Sequence, residues 1–434
     1  MTEPDWVAHA IWWQIYPLGF VGAYPADPPP AAEEHRLRRI VDWLDYTVEL
    51  GASGLALGPV FASHTHGYDT TDHHHIDPRL GTDDDFDHLV AECRARGLRI
   101  LLDGVFNHVG TEFDRFREAQ EGGDRSWFRT RGRDFVTFEG HGGLITLDHS
   151  NPDVVDYTVE VMCHWLSLGA DGWRLDAAYA VPDRFWAQVL PRVRERFPQA
   201  WFVGEVIHGD YSAIVRDCGF DSLTQYELWK AIWSSLNDAN FHELAWSLTR
   251  HNDFMDTFVP MTFIGNHDVT RIASQLDNPE HVEHALTILM TTGGTPSIYA
   301  GDESAYRGVK EERFGGDDAV RPEFTSPGEG VGEHGQQVYR THQHLIGLRR
   351  RHPWLHEART ESLRVTNEGL VYAARSGEHM LVVALNIDDA PMPVSLPEFG
   401  IESGAVIAGS GAPPTEQLTD AVVPPHGWLV IAPR

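Results

Sequence analysis

In the stretch GWRLDAAYAVP (172–182), Arg174 and Asp176 stand two residues apart in an otherwise apolar run. Residues two apart on a strand face the same side, so both side chains point one way at the point where the run ends. An arginine beside a carboxylate favours its charged form. Taken alone, the pair reads equally well as an internal strut. Other apolar runs end in the same manner: WFVGEV brings Glu205, FIGNHD brings His267 and Asp268, and DGVFNHVG brings Asp103, Asn107 and His108. HTHGYD adds His66, Tyr68 and Asp69. Burying each such group without a partner costs about 2–7 kcal/mol, so their convergence argues for purpose. Paired carboxylates flanking one bond are what glycoside hydrolysis needs, one as nucleophile and one as proton donor.

These groups need a scaffold that gathers strand ends. Eight β-type runs, near residues 11–17, 54–60, 98–105, 171–177, 201–206, 220, 258–268 and 295–303, alternate with amphipathic helical stretches. That alternation predicts a parallel (β/α)8 barrel, whose chemistry sits at the C-terminal ends of its strands. The barrel is expected over 1–108 and 148–354, with a polar, Gly-rich subdomain inserted over 109–147 after the third strand. From 355 to 434 the helical period gives way to short strands, which predicts a C-terminal β-sandwich. ADPPP (26–30) reads as a surface loop.

A net charge of -30 argues against nucleic acid and anionic membranes as partners. The opening MTEPDWVAHAIWWQIYP carries acidic residues where a signal peptide needs basic ones, and no run approaches a membrane span. The expected location is the cytoplasm. Cys93, Cys163 and Cys218 form no CxxC pair and read as reduced, buried thiols.

Together, DGVFNH (103–108), GWRLDAA (172–178), GEV (204–206) and FIGNHD (263–268) resemble the four signature regions of glycoside hydrolase family 13, the α-amylase family, in order. TGGTPSIYAGDE (292–303) and HGYDTTDHHHIDPRLGT (66–82) resemble two further segments, and the match runs from about 11 to 352. The resemblance implies Asp176 as nucleophile, Glu205 as general acid/base and Asp268 as the third carboxylate. It implies that Tyr68, His108, Arg174 and His267 line the subsite of the sugar being cleaved, with Asp103 behind Arg174 to orient it. Trp173, DHSNPDV (148–154) and GEVIH with His208 look most like the cyclomaltodextrinase and neopullulanase branch, which implies Trp173 and His208 as further substrate-binding residues. GGDDAVRP (315–322) resembles that branch's Asp-x-x-x-Arg element, which implies that Asp317 and Arg321 hold the next sugar. The implied substrates are short or cyclic α-1,4-glucans, cleaved with retention through a covalent intermediate.

The departures are specific. That branch carries an N-terminal β-domain, whereas the first barrel run here lies within the first dozen or so residues. Oligomeric state stays open. Ala180 stands where calcium-dependent relatives carry a histidine, which argues against a calcium site although Asn107 is kept, so no cofactor is expected. Tyr179-Ala180 replaces the family's Lys-His pair on the leaving-group side. Adjacent His73, His74 and His75 cannot all face one point on regular backbone, which argues against zinc. WWQIYPLGF reads as barrel core, Asp83 to Asp85 as a helix start, and Trp127 and Phe128 equally well as packing or sugar stacking. A transglycosylase shares every one of these catalytic residues and stays open as an alternative; a non-catalytic sugar-binding barrel would have lost one of the three carboxylates.

Overall fold

The computed structural model describes residues 3–23, 35–313, 315–411 and 417–434; the ADPPP loop lies outside them. Eight parallel strands belong to one sheet: β1 (Trp12–Ile15), β2 (Gly54–Leu57), β3 (Arg99–Gly104), β4 (Gly172–Leu175), β5 (Trp201–Gly204), β6 (Ser222–Leu223), β7 (Met261–Phe263) and β8 (Thr295–Tyr299). With helices between them, these are the strands of a (β/α)8 barrel. An antiparallel β region follows. By internal contacts the chain forms two compact units, one of Met1–Val7, Trp12–Thr224 and Arg321–Glu329, the other of Ala8–Ile11, Gln225–Val320 and Gly330–Arg434.

The first unit holds β1 to β6. Strands β2, β4 and β5 are buried at every position, as strands covered on both faces must be. Register aligns their C-terminal ends: β4 pairs Arg174 with Asp103 of β3 and Leu175 with Gly204 of β5. The ladder runs past the strands, since the Asp176 amide donates to Gly104 O and the Glu205 amide to Leu175 O. Between β3 and β4, the helix Pro152–Leu168 starts with Pro152 at its first position and Asn151 accepting from the Asp153 amide. It buries Val154, Val159, Met162 and Trp165 along one stripe and stops at Gly169, whose φ of 121° only glycine adopts without strain. Trp12 and Trp13 of the aromatic start are fully buried, and Trp12 stacks on Trp201.

The second unit holds β7 and β8, paired in parallel with Met261 opposite Thr295. Its helices include Tyr226–Asn237, Phe241–Phe254, Val282–Thr291 and Glu333–Arg351. Among the described residues its C-terminal part has seven strands: β9 (Arg359–Val365), β10 (Gly369–Ser376), β11 (His379–Asn386), β12 (Met392–Ser395), β13 (Gly404–Gly409), β14 (Asp420–Val423) and β15 (Trp428–Pro433). They form an antiparallel sheet in the order β9-β10-β11-β15-β13 and a β12-β14 pair. Val371, Val382, Val406 and Ile431 of the sheet share one apolar core with Val394 and Val423 of the pair. Cys93, Cys163 and Cys218 are free and buried. Among the described residues no helix is long and apolar enough to cross a membrane.

Candidate active site

At the ends of β3, β4 and β5 one guanidinium gathers three carboxylates. Arg174 Nη1 lies 2.7 and 2.8 Å from the two oxygens of Asp103 and 2.9 Å from Asp176 Oδ1, and Nη2 lies 2.7 Å from Glu205 Oε1. Asp103, Asp176, Glu205 and Arg174 are all buried. Burial disfavours the charged guanidinium, yet Asp103, Glu205 and Asp176 outweigh it and hold the group well above its ordinary range. The other Glu205 oxygen, Oε2, accepts from the Ala177 amide at 2.9 Å. Ala177 has φ 45°, a left-handed conformation that costs a residue with a side chain about 1–2 kcal/mol. The strain turns the chain sharply after Asp176 and aims that amide at Glu205. Tyr68 Oη donates to Asp103 Oδ2 at 3.2 Å, so Tyr68 and Arg174 share one anchor.

His108 is buried beside this cluster. Its Nε2 donates to the Tyr68 carbonyl at 3.0 Å, which leaves Nδ1 to accept from the Asn107 amide at 3.0 Å. Burial pushes the His108 pKa down to about 3, so the ring is neutral. Phe138 of the inserted segment stacks on it, with centroids 4.9 Å apart and planes at 15°. Beyond Asp176, the Tyr179 hydroxyl donates to Glu139 at 2.9 Å and its ring meets that of the exposed His208 at 5.6 Å. Arg321 lies over the Tyr16 ring.

The assignment of Trp173 to substrate is corrected. Its side chain is fully buried between Phe61 and Phe106. Alternation along β4 turns it to the face opposite Arg174. Trp127 and Phe128 resolve as packing: Trp127 lies against Tyr157 and under Arg115, and Phe128 against Phe116 and Phe135. His73, His74 and His75 diverge, toward the Val105 carbonyl, the rings of Tyr157 and His164, and Asp83 respectively. Among the described residues no group of three or more His, Cys, Asp or Glu side chains is arranged to hold a metal ion.

In the second unit, His267 is buried and its Nε2 lies 3.0 Å from Asp268 Oδ2. Asn266 accepts from the Asp268 amide and donates to Tyr226 Oη, which fixes the turn. Behind it stands Arg271, a residue that sequence reasoning passed over although an arginine in NHDVTRIA invites the same question as Arg174. It is buried and donates to Asp302 Oδ1 and to the carbonyls of Ala300 and Val320. Asp302, pushed up to about 6 by burial against the opposing pull of Arg271, packs directly on the turn. A Cβ on Gly265 would clash with Asp302 Oδ2. Because Arg271 pins the carboxylate, Gly265→Ala is expected to destabilise the protein by about 1–3 kcal/mol in urea unfolding and to lower kcat by displacing the Asp268 turn. Asp317 pairs with Lys310 at 3.5 Å, a partner not anticipated from sequence.

The α-amylase catalytic-domain profile matches residues 14–142 and 122–359. The chain is 27% identical to a cyclomaltodextrinase of Geobacillus thermopakistaniensis (strain MAS1) over 99% of this chain and 78% of that protein. It is 30% identical to neopullulanase 2 of Thermoactinomyces vulgaris over 86% of this chain and 68% of that protein. Among solved structures, the ligand-free cyclic α-maltosyl-(1→6)-maltose hydrolase of Arthrobacter globiformis superposes with a TM-score of 0.83 at 25% identity, covering 99% of this chain and 100% of that one. Profile, relatives and fold agree with the polar strand ends: the chain belongs to the α-amylase family, glycoside hydrolase family 13.

Proposed function

We propose that the protein is a retaining hydrolase of α-1,4-glucosidic bonds in malto-oligosaccharides or cyclic maltodextrins. Asp176 is the nucleophile, Glu205 the general acid/base and Asp268 the third carboxylate, which holds sugar hydroxyls. The observation that carries this reading is the shared guanidinium: Arg174 touches both Asp176 and Glu205, so the two carboxyl groups border one small space. In the first step Glu205 protonates the glycosidic oxygen as the bond to the anomeric carbon breaks and Asp176 forms an ester to that carbon. In the second, Glu205 takes a proton from water, and the resulting hydroxyl displaces Asp176 with net retention. Each Glu205 oxygen already accepts one hydrogen bond, from Arg174 or from the Ala177 amide, so the proton it donates occupies the second lone pair of one of them.

Tyr68, His108, Arg174 and His267 are assigned to the sugar being cleaved, and His208, Asp317 and Arg321 to its neighbours. Both ring nitrogens of His108 are engaged within the protein, so a hydroxyl contact from it exchanges the Tyr68 carbonyl for substrate. The names of the similar proteins, cyclomaltodextrinase and neopullulanase 2, support a glucan substrate. Three free, buried cysteines fit a reducing cytoplasm.

Product analysis tests the reading. Maltotriose, maltotetraose, a cyclodextrin, pullulan, starch, trehalose and sucrose are offered without added calcium, and anomers are followed in time. Short α-anomeric products are expected from the small or cyclic substrates, at a rate that a chelator leaves unchanged. Products longer than the substrate reassign the enzyme to transglycosylation, β-anomers overturn retention, and loss of activity with chelator overturns the metal-free assignment.

A further inference from the structure

The inserted segment reaches the site through two adjacent side chains. Phe138 covers His108, and Glu139 accepts a hydrogen bond from Tyr179, three residues beyond Asp176. The turn that carries them is suspended between paired strands: Thr137 bridges Ile145, and Leu144–Thr146 pairs with His108–Gly110. Glu139 is exposed and has φ 49°, ψ 26°, the left-handed region that favours glycine. Glycine follows immediately at 140, 142 and 143, yet position 139 carries a strained glutamate. Strain of this kind persists where a side chain is needed, and the contact that Glu139 makes is Tyr179. Burial disfavours ionisation of Tyr179, the Glu139 hydrogen bond opposes it further, and the nearby Glu205 and Asp176 repel it, so it stays a neutral donor.

We propose that the Tyr179–Glu139 hydrogen bond is a specificity-determining bridge that closes the leaving-group side of the cleft and favours short leaving groups over long chains. The inference rests on the glucan reading above. A strut between the barrel and the inserted segment bounds the space beyond Glu205, and a sugar chain longer than that space must part the bridge to be cleaved. The phenol ring, backed by His208, forms the wall, and the carboxylate holds it in place.

The test compares kcat/KM for soluble starch with that for maltotriose. Tyr179→Phe keeps the ring and removes the donor, Glu139→Ala removes the acceptor, and Glu139→Gln keeps a carbonyl oxygen in the acceptor position. The starch-to-maltotriose ratio is expected to rise roughly three- to tenfold in the first two, the weight of about one hydrogen bond, mostly through a lower KM for starch. Glu139→Gln is expected to stay near the parent ratio, a rescue that a merely structural role for the turn would not produce. An unchanged ratio in both Tyr179→Phe and Glu139→Ala, in a protein that cleaves maltotriose, overturns the bridge alone. A parent protein that cleaves neither substrate overturns the glucan reading and the bridge with it.

Discussion

Asp176→Asn is expected to lower kcat by roughly four orders of magnitude or more, the scale seen when a group that bonds covalently to substrate is removed. The substitution is nearly isosteric, and the amide oxygen still accepts from Arg174 Nη1, so the fold and the affinity for a maltosaccharide should change little. What disappears is the negative charge and the lone pair that would bond to the anomeric carbon. Glu205→Gln supplies the contrast. It keeps the side chain's shape and one of the two acceptor oxygens that meet Arg174 and the Ala177 amide, but has no acidic proton to give. On an aryl glucoside whose leaving group departs without a proton, Glu205→Gln should still release one equivalent of phenol rapidly and then stall, because the second step lacks its base. Asp176→Asn should release none. A burst from Asp176→Asn and none from Glu205→Gln would exchange the two roles, and full turnover by either would remove that residue from the reaction.

The carboxylate cluster on which the two proposed roles rest is legible in the sequence because the geometry that matters is local to strands. Period two places Arg174 and Asp176 on one side, and short parallel strands ending together bring Asp103 and Glu205 beside them through the register of β3, β4 and β5. The same rule, applied one residue over, puts Trp173 on the far side of β4. Its assignment to substrate followed the resemblance where the alternation pointed outward, to Phe61 and Phe106. The hairpin of Phe61–Ser63 and Thr70–Ile76, which carries the Tyr68 loop between its strands, is not legible in the sequence. Its histidine run and irregular register hide the strand period. Glu139 was illegible for a different reason. Nothing in VTFEGHGG marks one glutamate in a glycine-rich loop, and its partner Tyr179 stands forty residues away. Only the path of the inserted segment brings them together. Arg271 lies between these extremes: its type and place invite suspicion, but its partners Ala300, Asp302 and Val320 come from a separate stretch of chain.

Arg174→Met tests how far stability and catalysis are bound together. In the parent protein one buried cation offsets three buried carboxylates, and the methionine fills part of its volume without its charge. Breaking a buried ion pair by removing one partner costs about 3–5 kcal/mol, because the remaining charge keeps its desolvation cost. Here three remaining charges also repel one another. A loss at or above the upper end of that range is therefore expected in urea unfolding at pH 7. The sign with pH follows from proton counting. Without Arg174 the folded variant gains by binding a proton within the carboxylate cluster, so near pH 5 it holds more protons than the unfolded chain. Its stability deficit relative to the parent should then shrink as pH falls from 7 to 5 and widen as pH rises. Arg174→Lys should lie between the two: it restores a positive charge, but a single ammonium cannot repeat the planar fork that meets Asp103, Asp176 and Glu205 at once. Activity in that variant should fall more steeply than stability, since the lysine supports the fold without holding Asp176 and Glu205 together. A deficit in Arg174→Met that stays constant between pH 5 and 7 would show that the carboxylates relax into solvent, and that the guanidinium orients them without being needed to hold them charged inside the barrel.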